Sequence, residues 1–267
     1  MNCALKYPGS KWKTAEWITS FFPPHKFYVE PFFGSGAVYF TKEPAIYETI
    51  NDIDGLVVNF FKACRDYPEE LARAVCLTPF SRQEYLEIQE KKAGEPLQLT
   101  GDCVEDARRF LVRCSQGFGS KLSDRAGWKN TKASNGPVNP KIWNEYPKII
   151  LSYAERLKNA QIECTDAVQL IRDCNHSDCL IYADPPYLKE CRPKRCYRFE
   201  MQEEEQHNGL LDALLNHNGM VILSGYDNQL YNDRLKGWHK ETKSAVVNSG
   251  RNATECIWMN FSHQLGF

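Results

Sequence analysis

The chain has 267 residues, 42% of them hydrophobic and 25% charged, and its formal net charge is −1. That composition fits an ordinary globular protein and gives no global basic excess to announce a nucleic-acid partner. No apolar stretch approaches the roughly 20 residues of a membrane helix, and Met1-Asn2-Cys3-Ala4-Leu5-Lys6 carries no signal-peptide core, so the expectation is a cytoplasmic protein without a membrane partner.

In chain order, Lys6-Tyr7-Pro8-Gly9-Ser10-Lys11 reads as a tight turn entering a helix over 11–21, stopped by Pro23-Pro24. A short strand over 27–29 ends at Pro31 and the turn Phe33-Gly34-Ser35-Gly36, which is expected to lead into the next helix. A second strand over 45–50 ends at Asn51-Asp52, and Asp54 caps a helix over 54–64. From about 78 to 146 the strand alternation stops. Helical patterns over 82–92 and 104–114 flank a stretch, 116–140, rich in Gly, Ser, Asn, Lys and Trp. So long a structureless loop is uncommon unless it is functional. The division expected is a core made of 1–77 and 147–267, with 78–146 an inserted, mostly helical module.

The α/β rhythm then resumes, with helices over 147–158, 166–174 and 203–216 and strands over 160–164, 179–183 and 220–224. Two tail strands, 244–247 and 255–261, fit a hairpin at one edge. Strands alternating with helices imply a mainly parallel sheet covered on both faces.

Ligands of open α/β sheets bind outside the carboxyl ends of the strands. There the chain places Asp184-Pro185-Pro186-Tyr187, directly after the apolar run Cys179-Leu180-Ile181-Tyr182-Ala183. One carboxylate, one proline-fixed carbonyl and one aromatic ring suit chemistry on an amino group attached to a flat ring. The Phe33, Gly34 and Gly36 turn allows close backbone approach to a ligand. It lacks both the third glycine of a dinucleotide fingerprint and the Gly-Lys-Ser/Thr of a phosphate loop. Asp52 stands where a carboxylate accepts from ribose hydroxyls, with a helix cap as the alternative. Asp166 stands where it could accept from an adenine amino group or cap the following helix. Lys11 can pair with a carboxylate, and Tyr7 can pack on a methyl-sulfonium or adenine. This set favours S-adenosyl-L-methionine over NAD or ATP. Two basic clusters, Lys121, Arg125, Lys129 and Lys132, and Lys189, Arg192, Lys194, Arg195 and Arg198, point to phosphate contacts. The eleven cysteines are scattered with no Cys-x-x-Cys pair, and the Cys174, His176, Cys179 spacing matches no common zinc pattern, so no metal is expected.

Taken in order, Lys6 to Lys11, Glu30-Pro31-Phe32-Phe33-Gly34-Ser35-Gly36, Asn51-Asp52-Ile53-Asp54, Asp184 to Tyr187 and Val221-Ile222-Leu223-Ser224-Gly225-Tyr226 resemble the motifs of the Dam-like, D12-class DNA adenine-N6 methyltransferases. The resemblance implies a Rossmann-like methyltransferase fold, a mixed, mainly parallel seven-stranded sheet with a helical target-recognition insertion. It implies that Tyr7, Lys11, Asp52 and Asp184 contact S-adenosyl-L-methionine and that Asp184, Pro185 and Tyr187 hold the target adenine. Double-stranded DNA is then the partner. No obligate protein partner is expected, and a cognate restriction endonuclease is compatible with the family. The tetrapeptide alone leaves cytosine N4 and RNA adenine open as targets. A DNA-binding regulator that holds the cofactor without turnover is the alternative from another class.

Overall fold

The computed structural model describes residues 3–89, 97–120, 122, 126–130, 138–192, 195–246 and 252–262. Its centre is one seven-stranded sheet built from β1 (Phe27–Glu30), β2 (Tyr47–Asn51), β3 (Ala160–Glu163), β4 (Cys179–Ala183), β5 (Met220–Tyr226), β6 (His239–Val246) and β7 (Asn252–Met259). The order across the sheet is β3-β2-β1-β4-β5-β7-β6. The first five strands are parallel, and β7 and β6 join antiparallel as the hairpin expected of the tail.

Alternation along β4 shows how the sheet is held. Leu180 and Tyr182 enter one apolar layer, and Cys179, Ile181 and Ala183 enter the other. All five are at most 1% exposed, as a strand covered on both faces requires. The first layer is closed by α2 (Gly55–Asp66), α3 (Pro68–Cys76), α5 (Cys103–Gln116) and α7 (Tyr146–Leu157). The second is closed by α8 (Ala167–Asp173), α9 (Glu204–Leu215) and α10 (Gln229–Arg234). Three short helices complete the set: α1 (Ala15–Thr19), α4 (Arg82–Glu87) and α6 (Asn139–Trp143).

Among the described residues, the helices of 78–146 share the core of the sheet's first layer. Tyr85, Phe110, Leu111 and Trp143 pack into the same layer as Phe60 and Phe61 of α2. Two local expectations shift. Residues 37–42 form turns and no helix; only single contacts such as Phe40 N–H to the Gly36 carbonyl and Lys42 N–H to the Val38 carbonyl form before Pro44. The helix expected over 11–21 narrows to α1, because turns occupy 12–14.

Behind β2 lies a buried ionic cluster. Glu48, 2% exposed, takes hydrogen bonds from Lys42, from both terminal nitrogens of Arg156 and from the Ala45 N–H, while Arg156 lies 3.8 Å over the Tyr39 ring. Burial opposes ionisation of Glu48, but the Arg156 and Lys42 bonds overcome it and hold the carboxyl at about 2. Its contribution to stability is therefore present above the ordinary pKa and lost as pH falls towards 2. Glu48→Ala strands two buried cations and is expected to lower unfolding free energy by about 3–5 kcal/mol. Urea denaturation at neutral pH measures it.

Candidate active site

Strand order reverses between β1 and β4: β2 and β3 lie to one side, β5 to the other. The crevice at such a reversal is where open α/β sheets bind ligands. Here it opens into a cleft of about 290 Å³, with Glu30 at the end of β1 and Asp184 just past β4 among its lining residues.

Asp184 sits in a network drawn from both ends of the chain. The Lys11 ammonium lies 2.9 Å from Asp184 Oδ1 and 2.9 Å from Glu255 Oε1. It also donates to the Tyr187 hydroxyl, which in turn donates to Glu255 Oε1 at 2.6 Å. Ser224 Oγ reaches the same Glu255 oxygen at 3.4 Å. Lys11 is held strongly charged: burial works against the charge, and Asp184 and Glu255 outweigh it. Burial raises the Asp184 carboxyl to about 6, with Lys11 pulling the other way and Glu255 adding to the rise. The Tyr187 ring meets Tyr226 edge-on at 4.5 Å and carries Lys11 at 4.9 Å from its centroid. Two acceptors stay unclaimed. Among the described residues, no hydrogen bond reaches Asp184 Oδ2 or the Pro185 carbonyl.

The rest of the cleft is built from the glycine turn and the end of β2. Asp52 receives the Gly34 N–H on one oxygen at 2.8 Å and the Asp54 N–H on the other at 2.9 Å. It therefore ties two loops together, and it is Asp54 that caps α2, through the Leu56 N–H. Burial lifts Asp52 to about 7 and Glu30 to about 8. Asp54 Oδ2 is buried and has no donor. Gly34 and Gly36 both have positive φ, +50° and +66°; a Cβ on Gly36 would sit 2.6 Å from the Phe33 ring and 2.7 Å from Phe40. Phe33 itself is mainly a core residue, packed on Tyr39, Phe40 and Phe61. Tyr7 lies against Gly34, and Ser10 Oγ contacts Ser35 Oγ at 2.8 Å, so the N-terminal turn spans the cleft mouth. Asp166 caps α8 through the Gln169 N–H at 2.9 Å, and it also lines the cleft.

The stretch after Tyr187 turns back over the cleft. Tyr197 packs 5.6 Å from Tyr7, and Arg198 donates to Asp54 Oδ1 at 2.6 Å. Arg192 donates to Glu200 at 2.7 Å and stacks 4.4 Å over Tyr197. Of the basic residues expected at phosphates, Arg192 and Arg198 are thus paired inside the chain, and half-buried Lys129 donates to the Ser115 carbonyl at 2.8 Å. Burial drives Lys129 down to about 8. Arg195 and Lys189 are exposed. Lys121, Arg125, Lys132 and Lys194 lie outside the described residues. The described part of the 116–140 stretch is anchored at its base, where Gly117 bridges Trp128 and the Phe118 N–H bonds the Gly127 carbonyl at 2.7 Å, and it leaves Phe118 72% exposed.

Three residues of the cleft and its network were not legible as such in the sequence. Asp54 reads only as a cap, and Tyr197 is hidden in a basic run. Glu255 is 71 positions beyond Asp184 (255 less 184). Its one sequence signal is an acid within the otherwise apolar run Cys256-Ile257-Trp258-Met259 and its approach.

Gly36→Ala is expected to cost about 3 kcal/mol, combining a left-handed backbone with overpacking against two rings. Gly101, with φ +86° and nothing near its missing Cβ, serves as the control: Gly101→Ala should cost only about 1–2 kcal/mol. Equilibrium denaturation of the two variants checks the difference.

Residues 7–248 match the model of the D12 class N6 adenine-specific DNA methyltransferases. The chain is also 27% identical over 278 aligned positions to the type II methyltransferase M1.LlaDCHI of Lactococcus lactis subsp. cremoris, covering 97% of this chain and 95% of that one. Among solved structures, a precorrin 8W decarboxylase from Methanobacterium thermoautotrophicum aligns over 94% of this chain and 92% of its own, with a TM-score of 0.42 and 8% identity, a likeness too weak to build on. The family match runs from the N-terminal turn through the glycine turn and the Asp184 tetrapeptide, so adenine N6 is the amino group acted on, and cytosine N4 is not. This chain belongs to the D12 class of N6 adenine-specific DNA methyltransferases.

Proposed function

We propose that the protein methylates N6 of an adenine swung out of duplex DNA, with S-adenosyl-L-methionine as donor and with no metal. The observation that carries this is the pair of unclaimed acceptors, Asp184 Oδ2 and the Pro185 carbonyl, at the strand reversal beside the cleft. A base within a duplex cannot enter such a recess, so it must leave the stack.

The cleft suits the donor. It gathers the carboxyls of Glu30, Asp52, Asp54 and Asp184 against few cations, which favours a positively charged ligand. The orphaned Asp54 Oδ2 offers an acceptor, and at Gly34 the lack of a Cβ lets the Tyr7 ring close directly on the turn. Tyr7, Phe33, Gly34, Gly36, Asp52 and Asp166 would hold the donor's nucleoside and methionine parts, with Asp184 and Lys11 at the inner end. When bound, S-adenosyl-L-methionine supplies an electrophilic methyl group on sulfur. The protein's own residues supply position and charge. N6 of adenine is a poor nucleophile because its lone pair is delocalised into the ring. Asp184 Oδ2 and the Pro185 carbonyl take its two N–H groups and draw the nitrogen out of conjugation. Fixed φ at Pro185 and Pro186 keeps these acceptors still. The Tyr187 ring, locked through its hydroxyl, is the flat surface for the base. Positioning and preorganised electrostatics then govern the rate. As the methylated nitrogen sheds a proton, Asp184 is poised to accept it.

Residues 78–146 act as the recognition insertion on DNA. The exposed loop after α5 and the basic residues Lys121, Arg125, Lys129, Arg192, Lys194, Arg195 and Arg198 form the candidate DNA side, with Arg192 and Arg198 needing release from Glu200 and Asp54 first. Likeness to a type II methyltransferase supports a restriction-modification setting with a cognate restriction endonuclease.

Single-molecule methylome sequencing of cells expressing the protein should show N6-methyladenine in one sequence context. Scattered or absent modification argues against this reading. Asp184→Asn should leave the fold intact and slow single-turnover transfer by about 10²–10³, the usual cost of losing a preorganised electrostatic group. In the unaltered protein, transfer should fall as pH drops through about 6, where Asp184 takes up a proton and its acceptor is lost. A pH–rate profile flat from 5 to 8 contradicts the role given to Asp184.

A further inference from the structure

We infer that Glu255 is a positioning residue for methyl transfer: it holds Lys11 and the Tyr187 hydroxyl so that Asp184 presents one oxygen to the base. This rests on the reading of Asp184 as the acceptor for N6. The matched family region ends at residue 248, so the match says nothing of Glu255.

Glu255 stands opposite Tyr226 in the antiparallel pairing of β5 with β7, and its side chain is 7% exposed. Ile257 and Met259, two and four residues on, face the apolar layer on that side of the sheet. By strand alternation position 255 points the same way. An acid there loses hydration that an apolar residue would not need. Three contacts offset that cost: Lys11 at 2.9 Å, the Tyr187 hydroxyl at 2.6 Å and Ser224 at 3.4 Å.

Two of these three partners also touch Asp184, and both touch the same atom. Lys11 lies 2.9 Å from Oδ1, and the Tyr187 hydroxyl lies 3.5 Å from Oδ1. Lys11 is thus shared between two carboxylates. Without Glu255 its ammonium has only Asp184 as a charged partner, and nothing stops it from settling across both oxygens. That would occupy Oδ2, the atom the base needs. The Tyr187 hydroxyl would lose its short bond at 2.6 Å and keep only the long contact to Asp184 Oδ1, so the ring would lose its lock. Glu255 therefore keeps the acceptor open by competition for a cation, with no contact to the base itself.

The test uses the full chain, with labelled S-adenosyl-L-methionine and unmethylated genomic DNA under single-turnover conditions. Glu255→Gln keeps shape and removes charge. It is expected to slow transfer by on the order of a hundredfold, the loss that follows small misplacement of a reacting group. Binding of S-adenosylhomocysteine, measured by calorimetry, should shift by less than about threefold, because uniform binding is untouched. Glu255→Asp should recover part of the rate. Tyr187→Phe removes the same hydroxyl contact from the other side while keeping the ring. Its loss should not add to that of Glu255→Gln, so the double variant should match the slower single within about twofold. A rate in Glu255→Gln near that of the parent, alongside an Asp184→Asn slowed by about 10²–10³, overturns the inference and leaves the Asp184 reading standing. Additive losses overturn it as well. Full activity in Asp184→Asn refutes the Asp184 reading instead. Should Glu255→Gln fail to fold, Tyr187→Phe decides alone: a purely stacking role for the ring leaves its rate unchanged, and that result overturns the inference.

Discussion

Everything in this protein's active region depends on β1 and β4 lying side by side in the sheet. Paired residues such as Tyr28 and Leu180 are 152 positions apart (180 less 28), and the parallel register Phe27 with Cys179, Tyr28 with Leu180 and Val29 with Ile181 brings them side by side. Because chain runs leftward from β1 and rightward from β4, their following loops diverge and leave a gap. Glu30 and Asp184 border that gap, and Asp52, one strand over, ties Gly34 into it. A slip of one residue in this register would turn Tyr182 and Leu180 to the wrong layer and carry Asp184 away from Lys11.

The gap is expensive in electrostatic terms. Glu30, Asp52 and Asp184 are all raised by burial. The protein tolerates this by cross-linking carboxylates to groups from distant segments: Lys11 to Asp184 and Glu255, Arg198 to Asp54, and backbone N–H groups to Asp52. The basic residues that composition offers for DNA are partly consumed by this task, which is why a cluster in sequence is a poor guide to a cluster on the surface.

Local patterns carried much of this structure. The apolar run ending at Ala183, the cap at Asp54 and the Asn51-Asp52 strand end are set by short-range rules, and each lies within a residue or two of its expected place. What sequence hid depends on long-range packing. The stretch after Gly36 looks helical by composition but forms turns. Helix α3 has no strong local signal beyond Pro68 at its start and Glu69 and Glu70 in its first turn. The 78–146 segment looks separable because strands stop there, yet Tyr85 and Phe110 are part of the core beneath β1 and β2. Glu255 could be noticed only as an acid out of place in an apolar strand, and its partners only in three dimensions.

The tail hairpin has a consequence for how the molecule comes into being. Lys11 precedes Glu255 by most of the chain, and β7 slots between β5 and β6 although it follows both of them in order. During synthesis Lys11 and Asp184 can meet long before Glu255 emerges, so the nascent site passes through a stage with a two-member ion pair. The three-member arrangement is completed only by β7. A chain that stops short of β7 therefore cannot contain the finished site, and assembly of the network reports that synthesis has passed β7.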